Sequence, residues 1–154
     1  MSQRGGVFAG ALFLSAVALW GASQGCKGCS AGKLMLQCDY YVAQKGDLAR
    51  RDFCREYAKV VDIDGASAKA AWYYLLAGDA DKAYDSARRA TAIGQRYAAG
   101  YAAMALALKG ELDKARRQMK KALEALGRSD YFERELKVLS RLYPAVAWRE
   151  LADY

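Results

Sequence analysis

Four cysteines, Cys26, Cys29, Cys38 and Cys54, are the residues best suited to chemistry, because the chain contains no histidine. That absence excludes histidine-based catalytic triads, histidine general bases and HExxH-type zinc sites. No glycine-rich segment ends in the Gly-Lys-Ser/Thr of a phosphate-binding P-loop either. We therefore expect a protein that is not an enzyme and that carries no metal ion and no cofactor.

Cys26 and Cys29 form a Cys-x-x-Cys pair. Such a pair can be a redox couple, half of a metal site or a simple disulfide. A thioredoxin-like redox pair would follow a strand, and a c-type haem site would have histidine at position 30, where this chain has Ser30. Zinc could use all four thiols, but their spacing matches no familiar zinc ribbon. A thiol–disulfide or metal-handling function at Cys26 and Cys29 stays open as an alternative.

Cys38 and Cys54 stand eight residues before and eight residues after Gly46. If the chain turns at Gly46 between two antiparallel helices, the two thiols come to the same height. The spacing then predicts a disulfide, which would contribute about 3 kcal/mol for a loop of this length. The alternative is a pair of buried thiols that pack as small hydrophobic side chains.

The N-terminus is typical of an export signal, with Arg4 before the apolar run Val7–Ala22 and small residues after it. An uncleaved anchor is the alternative, since Trp20 stands where an interfacial aromatic residue would lie. We expect a signal or anchor over 1–25, a cysteine-containing linker over 26–32, helical repeats with a closing helix over 33–143, and a short C-terminal helix over 144–154.

A repeat underlies the middle of the chain, because Gly46, Gly78 and Gly110 are each 32 residues apart. An acidic residue follows each glycine, and an alanine stands twelve residues after each one, at Ala58, Ala90 and Ala122. A fixed period of this size is typical of stacked helical hairpins. The chain has one proline and no strand-like alternation of apolar and polar residues, so we predict an all-α fold.

The segments 77–83 and 109–115 resemble the turn and second-helix start of tetratricopeptide repeats, with Ala83 and Ala115 at the small-residue position. The period of 32 is shorter than the family's usual 34, and Arg51 and Asp39 replace small residues in the first hairpin. The resemblance implies a solenoid of three hairpins whose last apolar face is covered by the closing helices. Asp130 and Glu133 have the spacing of a capping box at the start of that closing segment.

The segment Ala22–Cys26 resembles a bacterial lipoprotein processing site, which implies lipidation of Cys26. Gly25 fits that pattern, whereas Ser23 replaces the usual leucine. Ordinary cleavage after Gly25 is the alternative. Either a lipid on Cys26 or an uncleaved N-terminal helix implies a membrane-tethered protein of the cell envelope, on the periplasmic side.

In tetratricopeptide repeats the first helix of each hairpin lines a concave groove. By that resemblance the groove residues here are Tyr40, Gln44, Trp72, Leu76, Tyr97, Met104 and Leu108. This apolar and aromatic set suits a helix or an extended hydrophobic peptide. The alternative is that the C-terminal helix with Trp148 fills the groove itself.

The net charge is +7, and the basic residues concentrate on the second helices, which carry Arg50, Arg51, Arg55, Arg88, Arg89, Arg116, Arg117, Lys120 and Lys121. Such a face attracts anionic lipid or another envelope polymer, unless it serves only as a solvated surface. We expect a membrane-associated scaffold that binds protein partners in a secretion, pilus, motility or outer-membrane assembly complex. Export argues against nucleic acid as a partner, and the sequence does not fix the oligomeric state.

Overall fold

The computed structural model describes residues 30–62 and 67–152, and every regular element within these ranges is helical. The predicted all-α class is therefore confirmed for this part of the chain. The signal or anchor segment, Cys26 and Cys29 lie outside the described residues. Among the helices that are described, none is both long enough and apolar enough to cross a membrane.

The helices follow one another with short connections. The first, α1, continues into a π-helical stretch that we call the π segment, and a short 3₁₀ turn over Leu48–Arg50 precedes α2. Their bounds are α1 Ala31–Gln37, the π segment Cys38–Gln44, α2 Arg51–Val61, α3 Ala68–Leu76, α4 Ala80–Ala92, α5 Ala98–Leu108, α6 Leu112–Leu126, α7 Glu133–Leu142 and α8 Arg149–Ala152.

The first six helices form three consecutive hairpins. The chain reverses at Gly46, Gly78 and Gly110, whose φ angles are 74°, 73° and 80°. Glycine adopts such left-handed angles without the steric cost that a side chain brings. From α1 to α6, each helix packs against the next one in the chain, both within a hairpin and from one hairpin to the next. The hairpins therefore share a continuous core.

Alanine allows the helices of neighbouring hairpins to approach closely. Ala71 of α3, Ala87 of α4 and Ala102 of α5 form one buried cluster, with Tyr84 and Tyr101 packed against its side. A second buried cluster joins the same three helices and consists of Ala68, Ala90 and Ala98. Ala90 is one of the alanines that the repeat pattern singles out, and the others, Ala58, Ala83, Ala115 and Ala122, are buried in the main core.

The two closing helices take separate positions, which the sequence did not predict. Helix α8 packs on α6 and so lies against the last hairpin, where Arg116 and Glu150 form an ion pair at 3.5 Å. Helix α7 instead packs against the π segment and α3, in the first two hairpins. Its buried leucines, Leu136, Leu139 and Leu142, supply the apolar face that holds it there.

The predicted capping box at the start of α7 is wrong. Helix α7 begins at Glu133 after Phe132, and no side chain caps it. The carboxylate of Asp130 instead accepts two hydrogen bonds from the guanidinium of Arg128, at 3.1 and 3.2 Å. The Asp130 carboxylate is therefore hydrogen-bonded to Arg128 and not to the first turn of α7.

Candidate partner-binding cleft

A cleft of about 650 Å³ lies between α7 and the first helices of the hairpins. We call it the α7 cleft. The π segment, α3, α5 and α7 all contribute to it, through Asp39, Ala43, Gln44, Trp72, Tyr73, Tyr101, Arg134, Glu135, Lys137, Val138 and Arg141. Residues that are far apart in sequence thus meet at one surface.

The π segment forms one wall of the α7 cleft. The backbone N–H of Lys45 donates a hydrogen bond to the carbonyl of Tyr40, five residues earlier, at 3.1 Å, whereas an α-helix joins residues four apart. Helical turns of this type are rare and occur frequently at functional sites. A disulfide from Cys38, the first residue of the segment, to Cys54 of α2 ties it down, with the two Cα atoms 4.8 Å apart. These are the two cysteines that the sequence pairs across the first turn.

Asp39 and Tyr73 both line the α7 cleft and contact each other there. The hydroxyl of Tyr73 donates a hydrogen bond to Oδ1 of Asp39, at 3.0 Å. Burial and the neighbouring carboxylate raise the pKa of Tyr73 above its ordinary value, so the phenol stays protonated and remains a donor at neutral pH. Asp39 occupies a position where the repeat pattern calls for a small residue, and this hydrogen bond accounts for its presence there.

A row of aromatic rings leads from the α7 cleft to the surface. The ring centroid of Tyr101 lies 5.9 Å from those of Trp72 and Phe132 and 6.0 Å from that of Tyr97. Phe132 in turn contacts Tyr131 at 4.8 Å. Tyr97 and Tyr131 are 37% and 38% exposed, so the row offers accessible rings. Aromatic side chains of this kind dominate the binding energy of many protein interfaces.

Two hydrogen bonds attach the C-terminal end of α7 to the first two hairpins. Nη2 of Arg141 donates to the carbonyl of Ala43 at 2.8 Å, and the hydroxyl of Tyr143 donates to the carbonyl of Leu76 at 2.9 Å. Both carbonyls lie in the last turn of a helix, where backbone acceptors lack partners within the helix. Burial raises the pKa of Tyr143 to about 12, so its hydroxyl keeps the proton that it donates.

The other end of α7 is attached through a direct contact between a ring and a backbone. A Cβ atom built at Gly100 of α5 would lie 2.1 Å from the Phe132 ring. No real side chain tolerates that distance, so Phe132 rests on the bare backbone of α5. Phe132 is only 1% exposed, and this contact fixes the entry of the chain into α7.

Two of the predicted groove residues, Gln44 and Trp72, line the α7 cleft. Tyr97 reaches it through its contact with Tyr101. Tyr40 is 49% exposed, and Nζ of Lys45 lies 5.5 Å from its ring centroid. Tyr40, although predicted to line the groove, lies on the surface and is not among the residues that line the cleft.

The prediction that Leu76 and Met104 line an open groove is wrong, because both are fully buried in the core. Leu108 is half-buried and packs against the same core. Helix α5 is apolar along nearly all of its length, so its pattern does not tell which side faces the groove. Tyr73 and Tyr101 do line the cleft, and the helical spacing of Tyr101 from Tyr97 could have indicated it.

The lining of the α7 cleft carries both signs of charge, with the acidic residues Asp39 and Glu135 and the basic residues Arg134, Lys137 and Arg141. Within the described ranges, no group of three or more histidine, cysteine or acidic residues could hold a metal ion. No protein-family model, curated protein or solved structure matches this chain. The geometry of the α7 cleft is therefore the main basis on which a function can be assigned.

Proposed function

We propose that this protein is a non-enzymatic scaffold that binds a protein partner in the α7 cleft. The aromatic row that begins at Trp72 and Tyr101 carries the proposal, because it leads from the lining of the cleft to the exposed rings of Tyr97 and Tyr131. Charged side chains of both signs line the cleft together with Trp72 and Tyr101. That combination suits a polypeptide that presents apolar side chains among charged ones.

The architecture supports a scaffold of tetratricopeptide type. Three hairpins turn at glycines that are 32 residues apart, and small residues lie where the helices meet. Stacked hairpins of this kind present extended binding surfaces. On this proposal the partner lies beside α7, which already occupies part of the face formed by the first helices.

The proposal includes a tether on the periplasmic side of a bacterial membrane. The apolar run Val7–Ala22 and the segment that ends at Cys26 support it, through either a lipid on Cys26 or an uncleaved N-terminal helix. Confinement to a membrane raises the effective concentration of a weak binding surface. The protein would then help to assemble or stabilise an envelope complex.

The test compares partner recovery from native membranes for the full-length protein and three variants. Trp72→Ala removes the largest ring of the α7 cleft, and Gln44→Arg adds a charge at an exposed position of its lining without touching the core. Tyr40→Ala is the matched control, since it removes an exposed aromatic residue outside the lining. Circular dichroism checks that each variant keeps its helical content.

We expect Trp72→Ala and Gln44→Arg to lose a protein that the unmodified chain and Tyr40→Ala both recover. The recovered protein, once purified, should bind in solution with the same dependence on these residues. Equal recovery by all four folded proteins would rule out the α7 cleft as the binding site.

A further inference from the structure

A second cleft, of about 430 Å³, lies between α4, the end of α5 and α6. We call it the α6 cleft, and it shares no lining residue with the α7 cleft. Its lining is rich in cations and in side chains that donate hydrogen bonds, and it consists of Tyr84, Leu106, Lys109, Glu111, Lys114, Arg117, Gln118 and Lys121.

Two of the four cations that line the α6 cleft already have acidic partners. Nζ of Lys109 lies 2.8 Å from Oδ1 of Asp81, and this hydrogen bond raises the pKa of Lys109. Lys114 pairs with Glu111, and that contact lowers the pKa of the Glu111 carboxyl. These pairs neutralise Lys109 and Lys114 locally, so the uncompensated charge of the cleft comes from elsewhere.

That charge comes from Arg117 and Lys121. Both are exposed, and neither forms an ion pair with any residue in the described part of the chain. They stand four residues apart on α6 and so project from the same face of the helix. Like charges at this spacing destabilise a helix. An anion between them would remove that repulsion.

The repeat itself does not require these two cations. Thirty-two residues earlier, the period places Asp85 and Arg89 at the equivalent positions of α4. There Nε of Arg89 donates a hydrogen bond to the backbone carbonyl of Asp85, at 3.4 Å. The position of Arg117 is thus acidic in the preceding hairpin, so two cations at this pair of repeat positions occur in α6 and not in α4.

We propose that the α6 cleft binds the phosphate group of an anionic ligand, held chiefly by Arg117 and Lys121. The guanidinium of arginine presents paired N–H donors that match two phosphate oxygens, while lysine adds a compact positive charge. Gln118 and Tyr84 add an amide and a phenol to the lining. The phosphate can belong to a lipid headgroup or be free in solution, since both offer the same oxygens.

The test is calorimetric titration of the full chain in non-ionic detergent micelles and phosphate-free buffer. One arm uses inorganic phosphate, and the other uses short-chain phosphatidylglycerol as the lipid headgroup. We expect saturable binding that weakens at least tenfold in the double variant Arg117→Gln/Lys121→Gln. The control Lys33→Gln/Arg96→Gln makes the same change in net charge at exposed positions outside the cleft and should stay within twofold of the unmodified protein. Arg117→Lys should fall between them, because it keeps the charge and loses the paired donors.

Tighter binding of phosphatidylglycerol than of phosphate would identify a lipid headgroup as the source, and the reverse order would identify free phosphate. Either order supports the site, provided that the cleft variant alone loses binding. If neither ligand saturates, or if both double variants weaken binding equally, the proposal is overturned. Such a failure would leave the proposed scaffold function untouched, because partner recovery depends on Trp72 and Gln44 in the other cleft.

Discussion

Replacing Gly100 with alanine should destabilise the protein, although it places a better helix former inside a helix. Gly100 lies within α5, where alanine alone would stabilise by about 0.5 to 1 kcal/mol. The new methyl group, however, would meet the Phe132 ring at 2.1 Å. Forcing an extra methyl into a packed core costs about 1 to 3 kcal/mol. The difference is a free energy of unfolding lowered by up to about 2.5 kcal/mol, with a midpoint of about 1 kcal/mol.

The chain provides a matched control in Gly32 of α1, where a Cβ atom added to the backbone would meet no other atom within 4 Å. Gly32→Ala should therefore leave stability unchanged or raise it by up to about 1 kcal/mol. In a Phe132→Ala background the obstructing ring is gone, and Gly100→Ala should then stabilise as well. The double-mutant cycle should give a coupling between positions 100 and 132 of about 2 kcal/mol.

Urea unfolding followed by helical circular dichroism measures these differences, provided that the variants share one m-value. If Gly100→Ala stabilises the protein as much as Gly32→Ala does, Phe132 does not rest on the α5 backbone. A coupling near zero would lead to the same conclusion. In that case the described attachment of the N-terminal end of α7 would be wrong.

Removing the disulfide with Cys38→Ser/Cys54→Ser should lower the free energy of unfolding by about 3 kcal/mol, given the separation of 16 residues; an unchanged urea midpoint would contradict this. Tyr143 should ionise near pH 12, about two pH units above an exposed tyrosine, and Tyr143→Phe should remove one late step from the ultraviolet titration of tyrosinate. Because the folded state holds this proton more tightly than the unfolded chain does, the contribution of Tyr143 to stability is present below pH 10 and is lost as the pH rises towards 12. The fall in stability over that window should be shallower in Tyr143→Phe, and an equal fall would refute the assignment.

The fold class and the hairpins could be predicted because local signals specify them. Glycines at a fixed interval mark the turns. Apolar residues at helical spacing predict a helix over Leu112–Leu126, which is the range of α6 in the structure. These apolar residues are Leu112, Ala115, Met119, Ala122, Leu123 and Leu126. The π segment could not be predicted in this way. Its sequence is compatible with an ordinary α-helix. The contacts that accompany the wider turn involve distant parts of the chain: Tyr73 donates to Asp39, and Arg141 donates to the carbonyl of Ala43.

The α7 cleft was only partly predictable for a related reason. Helical spacing indicates which residues share a face of one helix. The placement of Gln44 and Trp72 on one surface came instead from the resemblance to tetratricopeptide repeats, and both do line the cleft. Helical spacing does not indicate which neighbouring helix an amphipathic helix packs against. The leucines of α7 could have packed on the last hairpin as well as on the π segment and α3, where the structure places them. An apolar helix such as α5 has no distinct polar face, and the depth at which Met104 lies could not be read from its pattern.

The attachment of α7 to the first hairpin also has a consequence for the order of events during synthesis. The hydrogen bond from Arg141 to Ala43 spans 98 residues, and ribosomes add roughly 5 to 20 residues per second. The first hairpin therefore emerges about 5 to 20 s before the helix that will cover it. Throughout that interval the side of the π segment later occupied by α7 is open to any other polypeptide near the ribosome.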